Sequence, residues 1–252
     1  MQQPALPTHN QIDQHGEPTR QPQLGQSHTA EGGLDLSAIY VVHHGIRRDL
    51  RDFDLAVPAT PLADTASWIA LRRRWLNLTT AFHHHTQVED VYIWPSIALS
   101  LRAADAAAHS ILAGMAAEHE QIESLLSAVT LGFDRLAAQP GPTGQRQLAE
   151  NLRQARQGLL TLLAREKREA LPLMQSHLTS DRWKAAQRAA AKEYGLSDLL
   201  FAVPWSAREI PADQFRTAFA HGGPLMRVLL GLTRRRFERE HRAAFRHLHE
   251  PR

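Results

Sequence analysis

The sequence predicts an all-α protein: an up-down-up-down four-helix bundle, with a disordered N-terminal leader before it and a helical extension after it. Three observations lead to this fold class. Four long segments between residues 35 and 174 place apolar residues at alternating spacings of three and four, the signature of a helix that buries one stripe. The connections between these segments are short, which favours antiparallel neighbours. Nothing in the same block has the alternation of a strand or the glycines of a phosphate-binding loop.

The predicted leader covers residues 1–34, and the bundle covers residues 35–174. The leader is rich in Gln and Pro and has no apolar periodicity, so we expect it to be disordered. The first helix of the bundle has a stripe that consists of Leu36, Ile39, His43, Ile46, Leu50 and Phe53.

The other three bundle helices follow in order. The second begins near Asp64, after the breaker-rich segment AVPATPLA, and runs to Pro95. Its stripe consists of Leu71, Trp75, Leu78, Phe82, His85, Glu89 and Tyr92. The third ends at the loop AAQPGPTG, and its stripe consists of Leu112, Met115, His119, Ile122, Leu126, Val129, Phe133 and Leu136. The fourth reaches Pro172, and its stripe consists of Leu148, Leu152, Ala155, Leu159, Leu162, Glu166, Glu169 and Leu173.

The extension covers residues 175–252, with shorter helices predicted at about 180–194, 211–220 and 224–247 and a turn at FAVPWS. Its last 28 residues carry a net charge of +5, whereas the preceding residues sum to −2. This basic, amphipathic end has the charge to bind nucleic acid or an anionic membrane surface. We instead expect it to pack on the bundle with its arginines in water, because Glu residues are interspersed with them and no aromatic stacking pattern accompanies them.

Composition excludes several kinds of site. Cysteine is absent, so disulfides, thiolate metal sites and cysteine nucleophiles are excluded, and any metal must be held by His, carboxylate or backbone oxygen. The chain starts without a secretory signal pattern, and no apolar run approaches the roughly 18 residues that a membrane span needs. We therefore expect a soluble, cytoplasmic protein.

Polar residues interrupt all four stripes, at His43, His85, Glu89, His119 and Glu166. A buried carboxylate costs several kcal/mol unless it is paired or binds a metal. One such residue alone would more often be a hydrogen-bonded core group, but five converging from four helices favour a cation inside the bundle. His85 and Glu89 are one helical turn apart on one face. The second and fourth helices run parallel in the predicted topology, so Glu89 and Glu166 lie at similar depth and are placed to bridge two metals.

Four segments carry a resemblance to a known family: HHGIRRDL (43–50), HHHTQVEDVYIWP (83–95), AEHEQI (117–122) and LLAREKREALPL (162–173). They resemble the four helix motifs of the hemerythrin-like family, also called HHE cation-binding domains. The resemblance covers roughly residues 36–173. It implies metal ligands at His43, His85, Glu89, His119 and Glu166, with Glu89 and Glu166 as bridging carboxylates. It also implies non-haem iron, as one or two ions; manganese and zinc are less favoured alternatives that the imidazole and carboxylate donors also suit.

The chain departs from this family pattern at Leu162, where the fourth helix usually offers a histidine one turn before its carboxylate. We therefore predict an asymmetric site with one firm metal position and one weak or empty position. A nearby carboxylate at Glu123 or Glu169 is an alternative ligand, although we favour ordinary surface pairing for both.

Three classes of function are compatible with these residues. The first is an iron protein that binds, senses or detoxifies dioxygen, nitric oxide or peroxide, with an enzymatic variant that consumes peroxide or nitric oxide. The second is an iron store or sensor that signals to a protein partner through residues 175–252. The third is a degenerate, metal-free bundle that serves as an interaction module, for which Leu162 is the best argument.

Overall fold

The computed structural model describes residues 32–193, 195–210 and 223–248, and all regular secondary structure in these ranges is helical. The prediction of an all-α protein is confirmed for this part of the chain. None of its helices is long and apolar enough to cross a membrane. The α-helices are α1 (Ser37–Ala59), α2 (Thr65–Val88), α3 (Trp94–Ala98), α4 (Ala106–Ala138), α5 (Pro142–Arg165), α6 (Leu171–His177), α7 (Ser180–Glu193), α8 (Leu196–Ala207) and α9 (Gly223–Ala244).

The four long N-terminal helices form a helical bundle. Helix α1 packs on α2 and α5, and α4 packs on the same two helices. Local signals set the helix ends: Asp64 accepts a hydrogen bond from the backbone N–H of Ser67 at the start of α2, and Pro142 opens α5. The apolar members of the predicted stripes are buried along almost their whole length. Burial of these stripes, at roughly 25 cal/mol per Å² of apolar surface, is the main stabilisation of the bundle.

Two π-helical turns interrupt the bundle helices where the sequence predicts simple continuation. One, Glu89–Ile93, joins α2 to α3, and the other, Glu166–Ala170, joins α5 to α6. Each turn begins at a glutamate six residues before a proline, Pro95 or Pro172. Proline lacks an N–H and crowds the carbonyl one turn earlier, so a wider turn just before it removes the conflict.

The π turns also shift the buried face by one residue. Tyr92, which the straight stripe places inside, is only half-buried, and Ile93 is buried instead. In the same way Glu169 and Leu173 are half-buried, whereas Ala170, Leu171 and Met174 are buried. The predicted inward positions at the ends of these two stripes were therefore wrong, because a π-helical turn holds about one residue more than an α-helical turn and so moves the following residues around the helix.

The C-terminal helices pack against the bundle. Helix α8 contacts α1, α2 and α9, and α9 also contacts α2. The predicted turn at FAVPWS was wrong, because these residues lie inside α8. Val203 and Trp205, on either side of Pro204, are buried, so tertiary packing outweighs the local cost of the proline.

The basic end has the packing that the sequence predicts. On α9, Phe237, His241 and Ala244 are buried, as is Phe245 directly after it, and the arginines at 234–236, 239 and 242 are exposed. Leu232, which the prediction places on the buried face, is 75% exposed. The predicted helix at 211–220 and all but the last three residues of the predicted leader lie outside the described residues.

Candidate metal centre

Five side chains that interrupt the apolar stripes lie together inside the bundle. They come from all four long segments: His43 from α1, His85 from α2, His119 from α4, and Glu89 and Glu166 from the first residues of the two π turns. None of them exposes more than 7% of its surface. The structure thus brings together every site residue that the sequence singled out.

Three of these side chains form a tight group, which we call the first position. The Nε2 atom of His43 lies 3.1 Å from Nε2 of His85 and 3.2 Å from Oε2 of Glu166. Nε2 of His85 lies 3.9 Å from the same glutamate oxygen. One donor atom from each residue lies within 4.8 Å of the other two, an arrangement able to hold a single metal ion.

Glu89 and His119 form a second, looser group beside the first. Oε2 of Glu89 lies 3.6 Å from Nε2 of His119, and its other oxygen lies 3.5 Å from Nε2 of His85. The Nδ1 atom of His119 is 3.0 Å from both carboxylate oxygens of Asp90. Because Asp90 holds Nδ1, the opposite nitrogen of the ring faces Glu89, which is the arrangement typical of metal-bound histidine. We call this pair the second position.

Five donor atoms of this cluster lack an aligned hydrogen bond. All four carboxylate oxygens of Glu89 and Glu166, and Nε2 of His119, are buried without an aligned hydrogen bond. Buried polar atoms in folded proteins are nearly always paired, because an unpaired one costs about 1–3 kcal/mol. Two unsatisfied carboxylates beside three imidazoles therefore fit a cation that accepts electron pairs from all of them.

The electrostatics of the site agree with this chemistry. Burial and the adjacent Glu166 carboxylate raise the pKa of Glu89 well above its ordinary value. Burial acts against ionisation of Glu166 as well, but the imidazoles of His43 and His85 outweigh it and lower the pKa of Glu166. Burial lowers the pKa of His85 to about 3, so its imidazole is neutral and available as a ligand.

One comparison with known proteins bears on this chain. A model of the hemerythrin HHE cation binding domain matches residues 34–174, more than half of the chain. The chain belongs to this family. The recognition made from the sequence motifs is thereby confirmed, and membership implies a metal cation, commonly iron. No curated protein and no solved structure matches the chain significantly.

This hemerythrin-like site differs from the family pattern at the second position. Leu162 is 2% exposed and offers no donor. The two carboxylates considered as replacements are engaged elsewhere. Glu123 lies 2.6 Å from Nε2 of His83 at the surface, and Glu169 accepts hydrogen bonds from Arg165 and Arg168. Neither Glu123 nor Glu169 therefore takes the place of the histidine that the family resemblance leads us to expect at residue 162.

Apolar residues that lie within about two helical turns of the donors on the same stripes form what we call the apolar wall. Its members are almost completely buried: Ile46, Leu78, Met115, Ile122 and Leu162. The ring of Phe82 approaches that of His119 edge-on, with centroids 6.5 Å apart. The donors themselves are at most 7% exposed, so they have little contact with water, which strengthens their electrostatic interaction with a cation.

Sequence reasoning missed two functional features. Asp90 lies off the helical stripe, and only the π turn brings it beside His119. A signal for the turns was present, since Glu89 and Glu166 each precede a proline by six residues.

The histidines next to the site residues were correctly placed off the buried stripe. His83 is exposed, and His44 and His84 are half-buried on the side of α8.

Proposed function

We propose that the protein is a hemerythrin-like non-haem iron protein that binds, senses or detoxifies dioxygen, nitric oxide or peroxide. In this proposal the four long helices run up-down-up-down, and the ligands of the iron are His43, His85, Glu89, His119 and Glu166. Iron with imidazole and carboxylate ligands supplies a redox-active centre with a position open to a small ligand.

One observation carries the proposal. Four carboxylate oxygens are buried among three imidazoles, and none of them has an aligned hydrogen bond. A metal-free interaction module would have no reason to keep such a costly group in its core. The degenerate alternative, for which Leu162 argues, is therefore the weaker one.

The chain's own residues have defined roles in this proposal. Neutral His85 and ionised Glu166 bind the cation at the first position, and Asp90 holds the Nδ1 proton of His119 so that Nε2 faces the metal. The apolar wall excludes water, and small uncharged ligands cross such a wall more readily than ions do.

Elemental analysis with an optical spectrum tests the metal directly. We expect protein purified under iron-replete conditions to hold about one equivalent of tightly bound iron, because within the described part of the chain the three donors of the first position form the group close enough together to hold an ion. A charge-transfer band of an oxo-bridged pair with two equivalents would refute the asymmetry. Protein that binds no iron at all would refute the proposed function.

Replacing Leu162 with histidine is expected to complete the second position. Residue 162 is buried one turn before Glu166, so an imidazole there faces the same cavity. We expect the iron content of the Leu162→His variant to rise from about one to about two equivalents. Leu159→His, one turn earlier in the same helix, is the matched control, and it should leave the iron content unchanged. An unchanged content in Leu162→His would contradict the assignment of the second position.

Asp90 provides a separate test of the orientation of His119. The Asp90→Asn variant keeps the shape of the side chain but weakens the hold on Nδ1. We expect it to lower metal affinity at the second position about 10-fold, as measured in the Leu162→His background by competition with a chelator. Glu120→Gln, an exposed substitution on α4, serves as the control. Equal affinities of the two variants would argue against a role for Asp90.

The enzymatic variant of the proposal has its own test. If the iron site decomposes peroxide, two molecules of hydrogen peroxide give one of dioxygen and two of water. We expect oxygen evolution to be lost in Glu89→Ala and His85→Ala. Unchanged turnover in these variants would assign the activity to a contaminant and would leave binding or sensing as the function of the iron.

The second candidate function is an iron sensor that signals through residues 175–252. It is favoured by the packing of α8 on α1 and α2, the helices that carry His43 and His85, and by the packing of α9 on α2. It predicts that limited proteolysis of this extension changes with iron loading. Identical digestion patterns with and without iron would count against it.

A further inference from the structure

Helix α8 lies against the outer side of α1 beside the first position. The carbonyl of Arg208, at the end of α8, is 2.9 Å from Nε2 of His44, whose neighbour in sequence is His43. One residue further along α1, an added Cβ on Gly45 would lie 2.6 Å from the indole of Trp205. Glycine is therefore needed here for the close approach of the two helices, and the approach occurs within two residues of a proposed ligand.

A buried charge network fixes this contact. Arg48 donates to the carbonyls of Trp205 (2.8 Å) and Arg208 (2.9 Å) at the C-terminal end of α8. The indole N–H of Trp205 donates to Oδ2 of Asp49 at 3.1 Å. Helix α8 and its C-terminal cap Arg208 thus make three directional hydrogen bonds to one turn of α1; the two that involve Trp205 are buried and the one to Arg208 is partly buried.

The same network extends to α2. Arg74 donates to both oxygens of Asp49, at 2.7 and 3.0 Å, and its guanidinium lies over the rings of Phe201 on α8 and Phe237 on α9. Further along α2, Nε2 of His84 is 3.6 Å from Asp198 on α8. His84 precedes His85, the second imidazole of the first position. Helix α8 therefore contacts the residues adjacent to both histidines.

We propose that Trp205 and its partners on α8 are positioning residues for the first metal position, so that metal binding and docking of α8 are linked. The inference rests on the proposed function for the metal itself. The donors of His43 and His85 come from different helices, and their separation depends on how α1 lies against α2. Helix α8 contacts both helices from outside the bundle, at the residues next to His43 and His85. A docked α8 therefore holds the two imidazoles in the geometry that one cation requires.

Linkage makes this proposal reciprocal. If docking of α8 raises the affinity for a cation by some factor, the cation must favour docking by the same factor, and such factors are typically 5- to 150-fold. An intact C-terminal region is then part of the metal site, although no residue after Glu166 is among the proposed ligands. Through the same coupling, metal binding would change the docking of α8 and thereby the exposed surface of α8 and α9.

The first experiment measures Fe²⁺ affinity anaerobically, by competition with a chelator, on the full chain. We expect Trp205→Ala and Gly45→Ala each to weaken Fe²⁺ binding at least fivefold. Adding Gly45→Ala to Trp205→Ala should cause no further loss, because the alanine methyl group then has no indole to displace. A further loss in the double variant would mean that Gly45→Ala disturbs His43 directly.

A matched control separates positioning from general loss of stability. Leu148 is completely buried in α5, 18 residues and roughly 27 Å of helix before Glu166. Leu148→Ala should lower the melting temperature much as Trp205→Ala does, with unchanged Fe²⁺ affinity. If both variants weaken Fe²⁺ binding equally, Trp205 has only a structural role and the proposal is overturned.

Hydrogen exchange tests the reciprocal effect in the unaltered protein. We expect the backbone amides of α8 to exchange at least fivefold more slowly with Fe²⁺ than without it, and this response to vanish in His85→Ala. This inference would be overturned if the wild type binds Fe²⁺ without any change in α8 exchange and Trp205→Ala binds Fe²⁺ with wild-type affinity. The proposed metal site would then still stand. A wild-type protein that does not bind Fe²⁺ would instead remove the proposed function itself.

Discussion

The Glu89→Gln variant is expected to lose Fe²⁺ affinity at least 100-fold, equivalent to about 2.7 kcal/mol, while its metal-free form becomes more stable than the metal-free wild type. Glu89 faces both positions, with one oxygen 3.5 Å from His85 and the other 3.6 Å from His119. An uncharged amide is a much poorer ligand than a carboxylate. Without metal, however, burial and the adjacent Glu166 raise the pKa of Glu89, so folding works against its charged form and costs free energy. An amide carries no such cost, so Glu89→Gln should raise the free energy of unfolding of the metal-free protein by about 1–3 kcal/mol.

These opposite effects on binding and stability distinguish a functional carboxylate from a structural one. Chelator competition gives the affinity, and denaturant unfolding of the metal-free protein gives the stability. Glu123→Gln is the matched control, because Glu123 lies near the site but pairs with His83 at the surface. It should change neither quantity appreciably. A Glu89→Gln variant that is destabilised without metal would indicate that Glu89 serves the fold.

We expect Asp49→Ala to lower the free energy of unfolding more than any other single substitution in the bundle. Asp49 is completely buried and accepts hydrogen bonds from Arg48, Arg74 and Trp205. Its removal leaves two buried guanidinium groups without their counter-charge, which typically costs about 3–5 kcal/mol. Denaturant unfolding of the metal-free protein measures this loss. Asp54→Ala, on the same helix but in a half-exposed pair with Arg156, should cost no more than about 1 kcal/mol.

Asp49 also predicts how stability depends on pH. Burial alone raises the pKa of a carboxyl, but the charges and hydrogen bonds of Arg74 and Arg48 outweigh it and hold the pKa of Asp49 well below its ordinary value. The unfolded state therefore binds a proton more readily than the folded state. The contribution of Asp49 is fully present above about pH 5 and is lost progressively as the pH falls through the folded-state pKa. The free energy of unfolding should fall less steeply with acidification in Asp49→Asn than in the wild type; equal slopes would contradict this role.

The sequence predicted the helices of the bundle because each buries one stripe, and a repeat of three and four residues is local information. It also predicted which polar residues meet. Each of the five occupies a stripe position, and helix geometry alone directs such positions inwards: His43, His85, Glu89, His119 and Glu166. The family resemblance agreed with this set of residues.

Features that depend on contacts between distant segments could not be predicted. The π turns decide that Asp90 reaches His119 and that Ile93 replaces Tyr92 on the buried face. Helix α8 continues through Pro204 because the buried contacts of Trp205 outweigh the proline, against its local propensity. The charge network around Asp49 joins residues up to 160 positions apart in the sequence, Arg48 and Arg208.

The sequence by itself thus determined the inward-facing residues of each bundle helix and the type of donor that they carry. Only the tertiary structure decided which of these donors lie close enough to share a cation, and that the C-terminal helices pack against the same part of the bundle. The physical reason is that periodic burial can be recognised one helix at a time. Distances between donors depend on how helices pack, and packing is the sum of many contacts between residues far apart in the chain.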